Sequence, residues 1–344
     1  MKLFISTSIL TAFSLIAFFF NPFFQTGGIH DDEQSGLNQQ IVIKFSHVVA
    51  ENTPKGLAAQ RFAELAAKKT GGKVKVVVFP NAVLHTDEEE LDALLQGDVQ
   101  MIAPSYSKVT KLIPQWQVLD LPFIFHDSED VERVFTGPAG NRLLKLLAHK
   151  NIKGLALWSN GFKQMTSNRK ALIHPEDFRG QTFRIMPSPV LDEQFRLLGA
   201  KPVPVPFPEV YQDLEKHQVD GQENTISNIY SKRFYQVQRY LTISNHGYLG
   251  YAVLMNKSFW DQLPPPIQHQ LSEAMEETTV WMLKQSKRMN EQQLEKLERQ
   301  ADMEITILEE KEKKRWIEQL KPVYDRYRQR FGNELLDEIH PRPE

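Results

Sequence analysis

The chain has 344 residues, 41% of them hydrophobic, and a net charge of −2. That length supports one large or two medium domains with real cores, and basic residues interleaved with acidic ones leave no charged face for nucleic acid. Cysteine is absent, which excludes disulfides, thiolate catalysis, cysteine-based metal sites and a lipidated N-terminal cysteine.

Lys2 followed by an almost wholly apolar or small run, Leu3 to Phe24, predicts a targeting segment over 1–24. Two readings stand: a cleaved export signal, and an uncleaved membrane anchor. The anchor is favoured, because the run approaches the roughly 20 residues that span a bilayer and lacks a clean A-x-A site. Residues 25–40 read as a polar tether, and the body begins near Ile41, outside the cytoplasm.

In the body, Ile41–Phe45 predicts a strand and Lys55–Lys69 a helix with Ala58, Phe62, Leu65 and Ala66 on one face, stopped at "TGGK". Lys73–Phe79 is a second strand. Thr86 or Asp87 is placed to cap the helix in "EEELDALLQG", whose first-turn acids suit the macrodipole. Val99–Ala103 is a third strand, and the alternation describes a parallel α/β sheet. The pattern returns with strands at Gly154–Trp158 and Gln181–Met186, a helix at Val190–Leu198, an extended Pro-rich stretch, a helix at Glu209–Lys216 with Gly221 as a stop, and strands at Leu241–Ser244 and Tyr251–Met255. Residues 265–301 form one long helix with Ile267, Leu271, Met275, Thr278 and Met282 along a stripe, and "EEKEKKRW" begins a final one. Two α/β lobes, export and long C-terminal helices point to an extracellular solute-binding protein that closes by hinge motion.

Enzyme motifs are missing: there is no G-x-S-x-G, H-E-x-x-H, P-loop or G-x-G-x-x-G after a strand, and the ten histidines never fall at i, i+4 on a helix. The acids of "TDEEELD" read as a dipole-complementing surface. Arg184, between Phe183 and Ile185 in a short strand cut off by Pro187, is the anomaly. A guanidinium there is costly unless something anionic meets it.

"FSHVVAENTPKG" (45–56), "GFKQMTSNR…DFRGQTFRIMPSPV" (161–190) and "FPEVYQDLEKHQVDGQENTISNIYSKRFYQVQRYLTISNHGY" (207–248), in that order and spacing, resemble the substrate-binding proteins of TRAP (tripartite ATP-independent) transporters. The resemblance covers about 41–335 and is strongest to the C4-dicarboxylate-binding branch of the Bacillus type. It implies a two-lobe, periplasmic-binding-protein-like α/β fold with mixed sheets, hinge strands and a long helix across both lobes. Lobe I would be 41–160 plus 250–288, and lobe II 161–249 plus 289–344.

It also implies site roles. Arg184, in the R-[VI]-x-x-S motif, would clamp a ligand carboxylate with its planar fork. Lys163 stands in a G-F-K-Q-M-T loop where the family usually has arginine, and either contacts the carboxylate singly or faces solvent; contact is expected. Asn224 would bond the same carboxylate or cap a helix, and Phe207 would cover the ligand. His47 and Lys55, with helix-start amides, would hold the distal end. Ser105 stands where sialic-acid members carry an acid, which argues against a sugar. Tyr251, and Tyr248 beside it, would add hydrogen bonds; Asp87 is left out as a cap that would repel a diacid. The implied function is capture of succinate, fumarate or malate and delivery to a membrane permease, without catalysis, cofactor or metal. The alternatives are a ligand-loaded co-sensor for a dicarboxylate sensor histidine kinase, or a binder of another small carboxylate such as an oxo acid.

Overall fold

Apolar residues at alternate positions turn Ile43 and Phe45 of β1 (Ile41–Ser46) into the core. The computed structural model describes residues 40–340, so the targeting segment and most of the tether lie outside the described residues. After β1, α1 (Pro54–Lys69) starts at Thr53, whose hydroxyl accepts the Gly56 N–H at 3.2 Å, and β2 (Val74–Phe79) follows. Then come α2 (Glu90–Gln96), β3 (Met101–Ile102), α3 (Tyr106–Val109), α4 (Ser128–Thr136), α5 (Pro138–Leu146) and the long β4 (Ile152–Ser167). The chain continues through β5 (Thr182–Ile185), α6 (Pro189–Leu197), β6 (Lys201–Pro204), α7 (Val210–Glu215), β7 (Gly221–Thr225) and α8 (Ile226–Ser231). It ends with β8 (Tyr240–Asn256), α9 (Lys257–Gln262), α10 (Pro265–Gln300), β9 (Glu304–Ile307), α11 (Glu310–Phe331) and α12 (Glu334–Ile339).

The strands form one path, β2-β1-β3-β8-β4-β7-β5-β6, with β9 beside β8. Its two ends are parallel: β1 with β2 and β3, and β5 with β6 and β7. Between them β4 and β8 run antiparallel over their whole length, from Ile152 opposite Asn256 to Ser167 opposite Tyr240. Two α/β halves therefore share a pair of crossing strands, the two-lobe mixed architecture expected. The pairing slips between Gly154 and Ala156, Ser159 and Gly161, and Lys163 and Met165. Such bulges bend a strand, and these sit where the two halves join.

β8 is a single strand where two were expected. Close approach is what requires Gly247 and Gly250 along it. A Cβ on Gly247 would lie 2.7 Å from Lys163 Cε, and one on Gly250 would lie 2.8 Å from the Phe135 ring. Gly221, expected to stop a helix, opens β7; a Cβ there would come within 2.3 Å of the Thr166 carbonyl.

α10 buries the expected stripe of Ile267, Leu271, Met275, Thr278 and Met282. Farther along it, Asn290 Nδ2 donates to the Asn160 carbonyl (2.7 Å), and its Oδ1 accepts the Ser227 N–H (2.9 Å). The helix thus grips β4 at the crossing and the start of α8. The C-terminal helices also touch both halves. Trp316 donates to the Ile173 carbonyl (2.8 Å) and Tyr324 to that of Pro122 (2.7 Å). α12 lies on α5 through the Arg142–Glu334 pair at 2.7 Å, although 289–344 was expected to go with the second lobe.

Candidate functional site

The crossing strands bring both halves to one cavity, lined largely by buried side chains. From the first half it is lined by Lys55 of α1, Asp87, Glu90 at the start of α2, and Ser105 and Lys108 around α3. Arg184 of β5, Phe207, Asn224 at the end of β7 and Asn228 of α8 line it from the second. Leu249 and Tyr251 of β8 close it. Six of the eight residues singled out from sequence share this cavity: Arg184, Asn224, Phe207, Lys55, Ser105 and Tyr251.

Arg184 is 2% exposed. Parallel pairing of β5 with β6 carries it beside the Pro-rich stretch, where its Nε donates to the Val205 carbonyl at 2.9 Å. Among the described residues no carboxylate lies within 4.0 Å of its guanidinium. Burial pushes its pKa down to about 10, against the opposing pull of Asp87 and Glu223. One edge of the fork is thus committed, and the two terminal nitrogens make no hydrogen bond to the described residues. A planar carboxylate matches that geometry with two charge-assisted bonds.

Lys55 is equally buried. Its ammonium donates to the Ala103 carbonyl (2.8 Å) and stands 3.9 Å over the Tyr251 ring. Burial pushes its pKa down, while Glu90 and Asp87 oppose the fall. Asn224 Oδ1 accepts from Asn228 Nδ2 (2.7 Å) and from the Thr225 N–H (3.1 Å), so its amide is aimed by its neighbours. Thr225, not Asn224, caps α8. Ser105 precedes α3 and bridges backbone to backbone with Tyr251.

Lys163 takes neither position expected of it. It belongs to β4 rather than a loop, is 1% exposed, and its ammonium meets Glu223 at 2.6 Å. The other Glu223 oxygen meets His246 Nε2 at 2.8 Å. Burial pushes the Glu223 carboxyl up, but Lys163 and His246 together outweigh it and hold it at about 2. A buried lysine needs such a partner, and β7 supplies it: Met165 registers with Glu223 and Gln164 with Asn224. Lys163 therefore stands behind the cavity wall. His47 is also outside the lining; its buried ring lies edge-on to Phe45 with both nitrogens unpartnered. Burial, then the Lys55 charge, pushes its pKa down to about 3, so it is neutral. Tyr248 bonds Ser159 at 2.5 Å and packs on Phe125, Phe135 and Phe162, away from the cavity.

Sequence reasoning missed Asp87, Glu90, Lys108 and Asn228 as cavity residues. Asp87 does not cap α2. Its carboxylate pairs with Lys108 at 2.7 Å, and Oδ2 also accepts the Phe207 N–H at 3.3 Å, bridging the two halves. Glu90, taken as part of an acidic surface, is fully buried. Helical spacing was the available signal: Glu90 shares a face with Ala93 and Leu94, both core residues. Asn228 offered no such signal, because Asn224 lies on β7 and only Asn228 on α8.

A cavity lined by buried charges, between two halves joined by crossing strands, defines a two-lobe solute-binding protein. The chain belongs to the bacterial extracellular solute-binding proteins of family 7, which it matches over residues 45–330. It is 52% identical over 311 residues to the C4-dicarboxylate-binding protein DctB of Bacillus subtilis, covering 90% of this chain and 89% of that one. It is 46% identical over 301 residues to the C4-dicarboxylate-binding periplasmic protein DctP of Rhodobacter capsulatus, covering 87% and 90%. Among solved structures, a TRAP periplasmic solute-binding protein of Shewanella oneidensis with bound succinate superposes with a TM-score of 0.84 at 41% identity, covering 87% of this chain and 98% of that one. One of Pseudomonas aeruginosa with bound L-malate gives 0.81 at 38% identity, covering 83% and 100%. The expected extracytoplasmic setting, solute ligand and TRAP permease partner are those of this family.

Proposed function

We propose that the protein captures a C4-dicarboxylate (succinate, fumarate or malate) outside the cytoplasm and delivers it, chemically unchanged, to a membrane permease. The observation that carries this is Arg184, a buried guanidinium with two uncommitted nitrogens and, among the described residues, no carboxylate within 4.0 Å. Lys55 supplies a second cation for the other end of a diacid, and Asn224, Phe207, Ser105 and Tyr251 complete the contacts. Lys163 acts from behind, fixing β7 through Glu223, and His47 supports the wall without charge. The relatives that carry C4-dicarboxylates in their names, and the neighbours bound to succinate and L-malate, support the same ligand class. A small diacid has few apolar atoms, so charged hydrogen bonds of roughly 1.5–3 kcal/mol each must supply most of a micromolar affinity, about −8 kcal/mol.

Titration calorimetry with succinate, fumarate, malate, pyruvate and sialic acid tests the reading. The C4 diacids bind in the micromolar range or tighter; binding of monoacids alone overturns it. The reading includes retention at the outer face of the membrane by residues 1–24. A mature N-terminus at Gly28 or later in the membrane fraction would refute that part.

A further inference from the structure

Glu90 is a carboxyl that the protein leaves half-served. It is fully buried and lines the cavity, and Oε1 accepts from Ser46 Oγ at 3.2 Å. Oε2 has no partner, and among the described residues no cation lies within 4.0 Å of either oxygen. A buried carboxylate in that state is expensive, whereas a protonated one has a single unmet need: an acceptor for its O–H.

The charges that face it come from every element around the cavity: Lys55 of α1, Asp87 before α2, Lys108 of α3 and Arg184 of β5. His47 after β1 is neutral. Asp87 cancels Lys108 through their 2.7 Å pair, so Lys55 and Arg184 leave two positive charges. A fully ionised diacid matches these two charges only if Glu90 carries none. Burial, its largest influence, pushes the Glu90 carboxyl up, and Lys55 and the Ser46 hydroxyl oppose this. A ligand dianion beside it would push it up further.

We infer that Glu90 is a further ligand-contacting, specificity-determining residue: it meets the ligand's second carboxylate as a neutral acid, with its Oε2–H donating to that carboxylate. The inference rests on the dicarboxylate reading above. It makes the site select diacids in a way Arg184 does not. A monocarboxylate held by Arg184 leaves the Glu90 O–H buried without an acceptor, and a site built to bond a missing group rejects the ligand that lacks it. Loading also takes one proton from solvent onto Glu90 at any pH where the unloaded protein has it ionised.

The test is infrared difference spectroscopy of the full chain at pH 9, succinate-loaded minus free. Glu90, with a pKa raised to about 8, is then mostly ionised before loading. The wild type gains the carbonyl stretch of a protonated carboxylic acid on loading, unmoved by ¹³C-labelled succinate and absent from Glu90→Gln. No such band, or the same band in Glu90→Gln, overturns the proposal; uptake by Lys55 alone gives no carboxylic-acid signal. In calorimetry at pH 7, Glu90→Leu loses about 10- to 100-fold in succinate affinity, the worth of one charged hydrogen bond. Glu90→Gln, which keeps a donor, loses less. Wild-type affinity in Glu90→Leu also overturns it. Failure of the dicarboxylate reading looks different: the wild type itself then fails to bind succinate.

Discussion

Replacing Arg184 with methionine separates binding from stability. The side chain gives the cavity its ligand-facing fork, yet in the unloaded protein it is a buried cation with one carbonyl partner, Val205, at 2.9 Å. Its pKa falls from 12.5 to about 10, a penalty of about 3 kcal/mol on the charged form. Methionine removes that penalty and loses one hydrogen bond, leaving the Val205 carbonyl unmet at roughly 1–3 kcal/mol. The net change in stability of the unloaded protein is therefore small, between zero and about +2 kcal/mol. Binding moves the other way. Two charged hydrogen bonds at roughly 1.5–3 kcal/mol each are lost, so affinity falls by about 10²- to 10⁴-fold. Calorimetry and thermal melts with and without succinate read both sides. The wild type gains about 4 kcal/mol when the ligand stands at ~1,000 times its dissociation constant, and Arg184→Met, with an unloaded melting temperature equal or higher, gains about 1.4 kcal/mol or less at the same ligand concentration. A cooperatively folded variant that binds within ~3-fold of wild type would refute the clamp.

Three further outcomes follow from the geometry. Glu223→Gln strands Lys163 in the interior and lowers unfolding stability by about 3–5 kcal/mol in a urea titration. The pH dependence has a definite sign: the Glu223 carboxyl is depressed to about 2, so its contribution is complete above about pH 4.5 and fades as pH falls toward 2 in wild type but not in the variant. Gly56→Ala puts a Cβ 2.4 Å from the Ala50 and Glu51 carbonyls; despite a helix-propensity gain near 1 kcal/mol, it destabilises the protein and weakens binding by shifting the neighbouring Lys55. Asn290→Ala releases β4 and α8 from α10 and lowers stability by about 1–3 kcal/mol, and wild-type stability there would show that the grip carries no energy.

The sequence made the local features legible. An arginine set between Phe183 and Ile185 in a short strand marks Arg184, because a strand covered on both faces leaves the charge no route to solvent. The long helix stripe is visible because a helix's period alone assigns its face. What stayed hidden is decided by long-range packing. Within "TDEEELD" itself, Glu89, whose carboxylate bonds Thr86 in solvent, looks like the buried Glu90, and only the helical face Glu90 shares with Ala93 and Leu94 beyond it tells them apart. In the fold β1 approaches Glu90 through Ser46, a contact from far along the chain. The unbroken β8 was hidden because the link between its two halves carries Gly247 and Gly250, whose absent Cβ atoms are explained by the distant Lys163 and Phe135 side chains packed against them. Lys163 itself was misplaced because its partner Glu223 lies 60 residues away, on a strand read as a helix stop.

Burial and bridging together dictate how a ligand enters. Arg184, Lys55 and Glu90 are all at most 2% exposed, so a solute reaches them only when the halves part. Parting them breaks the bond from Phe207 N–H to Asp87, because Asp87 precedes β4 and Phe207 follows it. The Asp87–Lys108 pair stays within the first half and moves as a unit. Separation also rehydrates Glu90 and Arg184, whose shifted pKa values come mainly from burial, so both return toward ordinary behaviour in the parted form. A dianion entering at neutral pH thus meets full positive charge on Arg184 and an ionising Glu90. With Glu90 meeting the ligand as the neutral acid proposed above, closure would return the proton to it and couple the hinge to the charge state of the site.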